Sequence, residues 1–161
     1  MIRKLEFSEV DIVRNLAYEI WPIVYQNMIS KEQITYMLSW MYNLEVLQNA
    51  HKSGDSFFIF TKENVPVGFI HLNPQHDVLK LQKIYILPEH QKTGIGKKFL
   101  DHATYVAQEN TFSRISLQVN RENPAVNFYL NNGFSISKEE DFDIGNGFLM
   151  NDFIMEKPII T

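Results

Sequence analysis

Residues 84–98, Ile-Tyr-Ile-Leu-Pro-Glu-His-Gln-Lys-Thr-Gly-Ile-Gly-Lys-Lys, pass from an apolar run through a short polar turn into a helical pattern. Gly94 and Gly96 stand at the start of that helix, where unpaired backbone N–H groups and a partial positive charge suit an anion. Glycine there lets a ligand come close to the backbone. Lys92, Lys97 and Lys98 place three positive charges within seven residues of a chain whose net charge is −4. The chemistry implied is phosphate binding. A P-loop needs glycine six positions before its lysine, yet Gln91 holds that place before Lys97, and Lys98 follows where Ser or Thr is required. The dinucleotide pattern Gly-x-Gly-x-x-Gly fails at Phe99.

A second block, Asn123-Pro124-Ala125-Val126-Asn127-Phe128-Tyr129-Leu130-Asn131-Asn132-Gly133-Phe134, carries a tyrosine on a short helical pattern. Gln91-x-x-Gly94-x-Gly96 after a strand ending in Pro88 resembles the acyl-CoA signature of the GNAT superfamily of N-acyltransferases, Arg/Gln-x-x-Gly-x-Gly/Ala. The second block resembles that family's Asn-x-x-Ala-x-x-Phe-Tyr-x-x-x-Gly-Phe, and the spacing between the two agrees. Trp21-Pro22 before Tyr25, with the apolar stripe over residues 34–41, is similar to a bacterial branch that includes polyamine acetyltransferases.

The resemblance implies acetyl-CoA as cosubstrate and no metal. It sets the pyrophosphate on Gln91, Lys92, Thr93, Gly94, Ile95, Gly96 and Lys97, and pairs the pantetheine arm like an added strand with Ile84, Tyr85 and Ile86. Gln91 departs from the common arginine, so the phosphate contact there is neutral and the lysines carry more of it. Tyr129 maps to the general acid that protonates the departing thiolate; the plainer reading is a buried core tyrosine. Asn123 is a helix cap, a pantetheine contact, or both. His71, His76 and Glu89 are candidate general bases by proximity to the predicted strands, each with an ordinary surface or core reading beside it. The activity implied is acetyl transfer to a primary amine of a small molecule, a polyamine among them, by direct attack in a ternary complex. A protein N-terminal or lysine acetyltransferase and a non-catalytic acyl-CoA sensor remain alternatives. No nucleic acid or membrane partner is expected, and a homodimer is left open.

These residues need elements to hold them. Residues 2–7 read as a strand, with Ser8 as the cap of a helix whose apolar positions are Val10, Val13, Leu16, Ala17 and Ile20. Pro22 should close that helix at Trp21. Ser30 and Gln33 form a capping-box pattern before one helix or two. The excess of Trp21, Tyr25, Tyr36, Trp40 and Tyr42 is either core packing or a substrate lid. Strands are predicted over residues 56–62, 66–73 and 78–87, the first two joined through Glu63-Asn64 as a hairpin. A helix over 94–110, a strand over 113–119, a helix from Asn123-Pro124 to Asn132-Gly133, and strands near 134–138 and 148–157 follow. The unit over 78–119 should be a parallel crossover. The predicted fold class is α/β (α+β): a single domain over 1–161, its sheet mixed and mostly antiparallel, with helices on both faces.

Composition agrees with a globular chain. Of 161 residues, 45% are apolar and 13% aromatic, which excludes global disorder, and no apolar run is long enough to span a bilayer. Glu6, Glu9 and Asp11 lie where a secretory signal would be apolar, so a cytoplasmic location is expected. With no cysteine, a thiolate zinc site and a cysteine nucleophile are both excluded. The acidic balance disfavours duplex DNA and favours small cations.

Overall fold

The computed structural model describes residues 1–160. In chain order the elements are β1 (Ile2–Lys4), α1 (Asp11–Val24), α2 (Lys31–Met41), α3 (Leu44–Lys52), β2 (Ser56–Lys62), β3 (Val65–Gln75), β4 (Val78–Ile86), α4 (Ile95–Glu109), β5 (Arg114–Asn120), α5 (Ala125–Leu130), β6 (Ser135–Gly145) and β7 (Phe148–Pro158). The strands form one sheet in the order β1-β2-β3-β4-β5-β7-β6. β4 and β5 run parallel, with Val78 opposite Arg114; β1–β2, β2–β3, β5–β7 and β6–β7 run antiparallel. The fold is therefore the expected mixed α/β arrangement. No helix of the described residues is long and apolar enough to cross a membrane.

The chain groups into two compact units. The first comprises Met1–Asn73 and Lys83–Phe99. Its core holds Val13, Leu16, Ala17 and Ile20 of α1, Ile34, Met37 and Leu38 of α2, and Phe57, Ile59, Phe69 and Ile70 of β2 and β3, all buried. β2 and β3 turn at Glu63-Asn64, both with positive φ (52° and 65°), the two-residue hairpin geometry whose twist matches the flanking strands. The second unit comprises Pro74–Gln82 and residues 100–160. β5 alternates strictly, with Ile115, Leu117 and Val119 buried, and Ala103, Ala107 and Met155 are fully enclosed.

Four expectations change. β1 stops at Lys4 and a 3-10 turn, Phe7–Glu9, precedes α1, so Ser8 caps nothing. There the Glu9 carboxylate accepts the Glu6 N–H at 3.0 Å and pairs with Arg3, which winds the chain one turn earlier. Pro22 does not close α1, which runs on to Val24. The bond it removes would have gone to the carbonyl of Tyr18, a residue on the exposed face where water can replace it. Only half of the capping box forms: Ser30 accepts the Gln33 N–H at 3.0 Å, but the Gln33 amide turns to the Met37 sulfur. β6 reaches Gly145 rather than ending near residue 138. It is an edge strand, so Glu139, Asp141 and Lys138 can point to solvent and pair there with Arg121 and Glu140 without spoiling a core.

Candidate functional site

In the first unit the end of β4 and the turn after it are locked together by short polar contacts. Leu87 N–H donates to the Val67 carbonyl at 2.9 Å, and the Gln91 amide donates to the Ile86 carbonyl at 3.1 Å. The glutamine therefore ties the turn to the strand end. Pro88–His90 form one 3-10 turn, and the Thr93 hydroxyl donates to the His90 carbonyl at 2.6 Å. Lys92 and Gly94 both hold positive φ, 60° and 89°. At Gly94 this conformation favours glycine and a Cβ would meet nothing within 4 Å, so the backbone lies open to solvent.

α4 begins at Ile95, whose buried side chain anchors the turn. Lys98 N–H donates to the Gly94 carbonyl at 3.1 Å, so Ile95, Gly96 and Lys97 form the first turn, the anion-attracting end of a 15-residue helix. Lys92 and Lys97 are exposed beside it. Lys98 is not part of that charge: its ammonium lies 5.5 Å from the centre of the Phe60 ring. An exposed, positively curled backbone at a helix start with two lysines beside it fits a pyrophosphate.

Sequence reasoning missed Gly68. A Cβ built there would lie 2.9 Å from the Tyr85 carbonyl oxygen and 3.1 Å from Ile86 Cγ1, so β3 approaches residues 85–86 of β4 as only glycine allows. An isolated glycine inside a strand pattern is the signal that could have found it. Gly68→Ala should lower stability by about 1–3 kcal/mol, as overpacking does. If the strand end takes the pantetheine arm that the resemblance implies, displacing the Tyr85–Ile86 backbone should also weaken acetyl-CoA binding. Thermal melting and calorimetric titration check both; wild-type values would mean that this strand end yields without consequence.

Beside the same strand end lies an aromatic cluster. The Trp21 ring centre lies 4.6 Å from that of Tyr25 and 5.6 Å from that of Tyr85, both tilted, and Phe69 lies 5.9 Å from Tyr85 and 6.1 Å from Tyr42. The Tyr25 and Tyr85 hydroxyl oxygens are 2.6 Å apart. Trp21, Tyr25 and Tyr42 are buried, so for them core packing is the outcome. Burial holds the Tyr42 phenol well above the usual tyrosine range. Tyr36 and Trp40 instead stack on each other on α2, with Trp40 exposed.

Of the candidate bases, His71 is buried on β3 with its Nε2 2.6 Å from an Asp55 oxygen and its ring 4.2 Å from Phe57. Asn73 donates to the other Asp55 oxygen at 2.6 Å. The trio joins the segment after α3 to β3. His71→Ala would leave a buried carboxylate short of a partner and should cost about 3–5 kcal/mol. Melting should drop by roughly 6–20 °C on the usual scale for this size. Acetyl-CoA affinity should hold, and a variant that melts like the wild type would refute the structural role. Glu89 is exposed in the 3-10 turn. His76 belongs to the second unit, exposed in the turn between β3 and β4 with φ 42°.

The second unit holds Asn123 and Tyr129. The Asn123 side chain accepts the Ala125 N–H at 2.9 Å, so it caps α5 from just before its first residues. Asn123 stands six residues before Tyr129, one closer than the pattern places it, which shifts the weight of the match to Phe128, Tyr129, Gly133 and Phe134. Tyr129 is buried, its ring 5.5 Å from Phe128 and 5.7 Å from Phe134. Its carbonyl accepts from the N–H groups of Asn132 and Phe134, and Gly133 (φ 91°) makes the turn between them.

The chain belongs to the Acetyltransferase (GNAT) family, whose signature matches residues 13–134 and so spans the strand, the turn and the helix start described above. It is an N-acetyltransferase. A curated spermidine N(1)-acetyltransferase of Thermoplasma acidophilum is 30% identical over 162 residues, covering 97% of this chain and 95% of that protein. Among solved structures, the PaiA N-acetyltransferase of Thermoplasma acidophilum in complex with coenzyme A superposes with a TM-score of 0.84 at 29% identity, covering 98% of each chain. A GCN5-related N-acetyltransferase from Rhodopseudomonas palustris shares the fold with a TM-score of 0.85 at 19% identity, covering 99% of this chain and 95% of that one.

Proposed function

We propose that the chain carries the acetyl group of acetyl-CoA to a primary amine of a small cationic molecule, with polyamines as the leading acceptor class. The observation that carries the reading is the turn from Gln91 to Lys97, whose exposed backbone, helix start and lysines suit a pyrophosphate. Gln91, Lys92, Thr93, Gly94, Ile95, Gly96 and Lys97 would hold the phosphates. The backbone of Ile84, Tyr85 and Ile86 would pair with the pantetheine arm, with Asn123 as a further contact. When bound, acetyl-CoA supplies a thioester carbonyl open to attack. Strand-end N–H groups can stabilise charge on its oxygen, and Tyr129 donates a proton to the departing sulfur. Attack would be direct within a ternary complex, and an acyl-enzyme on cysteine is excluded because the chain has none.

The acceptor class draws on two supports: the net charge of −4 and the spermidine named for the Thermoplasma relative. Thiol release from acetyl-CoA across polyamines, amino acids, aminoglycosides and peptides tests it. Polyamines should give the highest kcat/KM. A preference for peptide N-termini would replace the small-molecule reading with a protein acetyltransferase.

A further inference from the structure

The second unit carries two Asn-Gly pairs in turns, Asn132-Gly133 after α5 and Asn146-Gly147 between β6 and β7, and the fold treats them differently. Asparagine before glycine is the pair most open to ring closure, because no Cβ shields the backbone nitrogen that follows the side-chain amide. Asn132 is half-buried and pinned, its Nδ2 donating to the Phe128 carbonyl at 2.7 Å. Its glycine is covered: a Cβ built on Gly133 would lie 3.2 Å from Lys157 Cε. Asn146 and Gly147 are both exposed, and a Cβ built on Gly147 would meet nothing within 4 Å. Among the described residues none hydrogen-bonds to the Asn146 side chain or to the Gly147 N–H. β5 pairs with β7 only from Asp152 onward, so the ladder at the hairpin tip is two strands wide, the kind of end that frays first. The side-chain amide carbon of Asn146 is thus free to swing to the nitrogen that follows it.

We propose that Asn146 is a site of spontaneous modification, converted to isoaspartate through a succinimide formed with Gly147, and that Asn132 is protected from the same chemistry. The Gly147 nitrogen attacks Asn146 Cγ. That N–C bond forms, the bond from Cγ to the side-chain nitrogen breaks, and ammonia leaves with the proton given up by Gly147. One water then opens the ring on either side, giving isoaspartate or aspartate. Nothing is oxidised or reduced, and water is the co-reactant. Both products add a carboxylate to a strand end that already carries Asp143. The isoaspartyl form also adds a methylene to the backbone of a two-residue turn whose geometry sets the pairing of Gly145 with Phe148. The tip of the hairpin therefore opens, while the pairing of β7 with β5 stays.

Peptide mapping of the ageing protein tests this. Trypsin separates the two pairs, since cleavage after Arg121 and Lys138 leaves Asn132 in residues 122–138 and Asn146 in residues 139–161. The whole chain is held in mildly alkaline buffer without acetyl-CoA, sampled over time and digested, with fragmentation locating each mass gain of one unit and telling isoaspartate from aspartate. Asn146 should convert roughly tenfold faster than Asn132, the scale of one hydrogen bond that must break before the carbon can swing. In urea the two should convert at similar rates, because the bond to Phe128 and the Lys157 cover are gone. Asn146→Gln should abolish the gain at that position.

Hydrogen exchange on the aged protein reads the consequence. Protection should be lost over residues 145–148 and kept at Gln118 and Ile154, which pair across β5 and β7. Equal conversion of the two asparagines in the folded chain, faster conversion of Asn132, or an inert Asn146 while the urea control reacts would each overturn the site. A preference for Asn146 that persists undiminished in urea would overturn the part assigned to the fold. Isoaspartate at position 146 with the tip as protected as in fresh protein would overturn the opening of the hairpin.

Discussion

Tyr129→Phe is expected to lower kcat by about 10²–10⁴ while leaving acetyl-CoA affinity nearly unchanged, the range typical of lost general-acid catalysis. As the amine attacks and the thioester opens, a thiolate must leave. Free thiols titrate near ~8.5, so it can depart unaided, but a proton delivered in the transition state lowers the barrier. The substitution removes one oxygen and keeps the ring against Phe128 and Phe134, so packing is preserved. Melting should shift by no more than about 5 °C, the scale of one neutral hydrogen bond in a chain this size. A Tyr129 of purely structural role would give the reverse, a lower Tm with kcat intact. Rates, cofactor affinity and Tm measured on the one variant separate the two.

Gly96→Asp should weaken acetyl-CoA binding by more than about 100-fold, since a carboxylate set against a pyrophosphate costs several kcal/mol. The aspartate would sit in the first turn of α4, where a negative charge suits the helix dipole, so the fold itself should hold. Loss of ligand with retained Tm is thus the expected pair of results, read by calorimetry and melting. Lys97→Ala should weaken binding more modestly and flatten its salt dependence, because an exposed ammonium acts through screened charge. Unchanged affinity in Gly96→Asp would move the phosphates elsewhere.

The elements around these residues were legible because each carries its own local chemistry. Glu63-Asn64 announced a hairpin, Ile115, Leu117 and Val119 an alternating strand, and Ser30 a helix cap, and all three depend on neighbours in sequence. What was not legible depended on partners far along the chain. Pro22 sits inside α1 because Tyr18 faces outward, a fact that periodicity alone did not decide. β6 runs seven residues past its expected end because it is an edge strand. There carboxylates can face solvent, and Asn146-Gly147 closes its hairpin with positive φ at both residues. That dipeptide was a readable sign of the longer hairpin.

The candidate site divides in the same way. The start of α4 followed from two glycines after a turn, whereas the positive φ of Lys92 and Gly94 did not, since Gly94 was expected as the first helical residue and stands just before it. The fate of His71 did not: its buried carboxylate partner Asp55 lies 16 positions away. Nor could spacing reveal that Gln91 binds the strand end, that Lys98 lies over Phe60, or that Tyr25 and Tyr85 meet across 60 residues. Gly68 is the clearest example, since only the approach of β3 to Tyr85 explains why a strand would carry a glycine.

The most direct measurement is mass spectrometry of the products formed from acetyl-CoA and spermidine, with released thiol counted in the same reaction. Expected is spermidine heavier by one acetyl group, one thiol released per acetylated amine, and both products formed more slowly, and to the same degree, in Tyr129→Phe. Thiol release with no acetylated amine, or intact acetyl-CoA after prolonged incubation across the acceptor panel, would contradict amine acetylation by this chain.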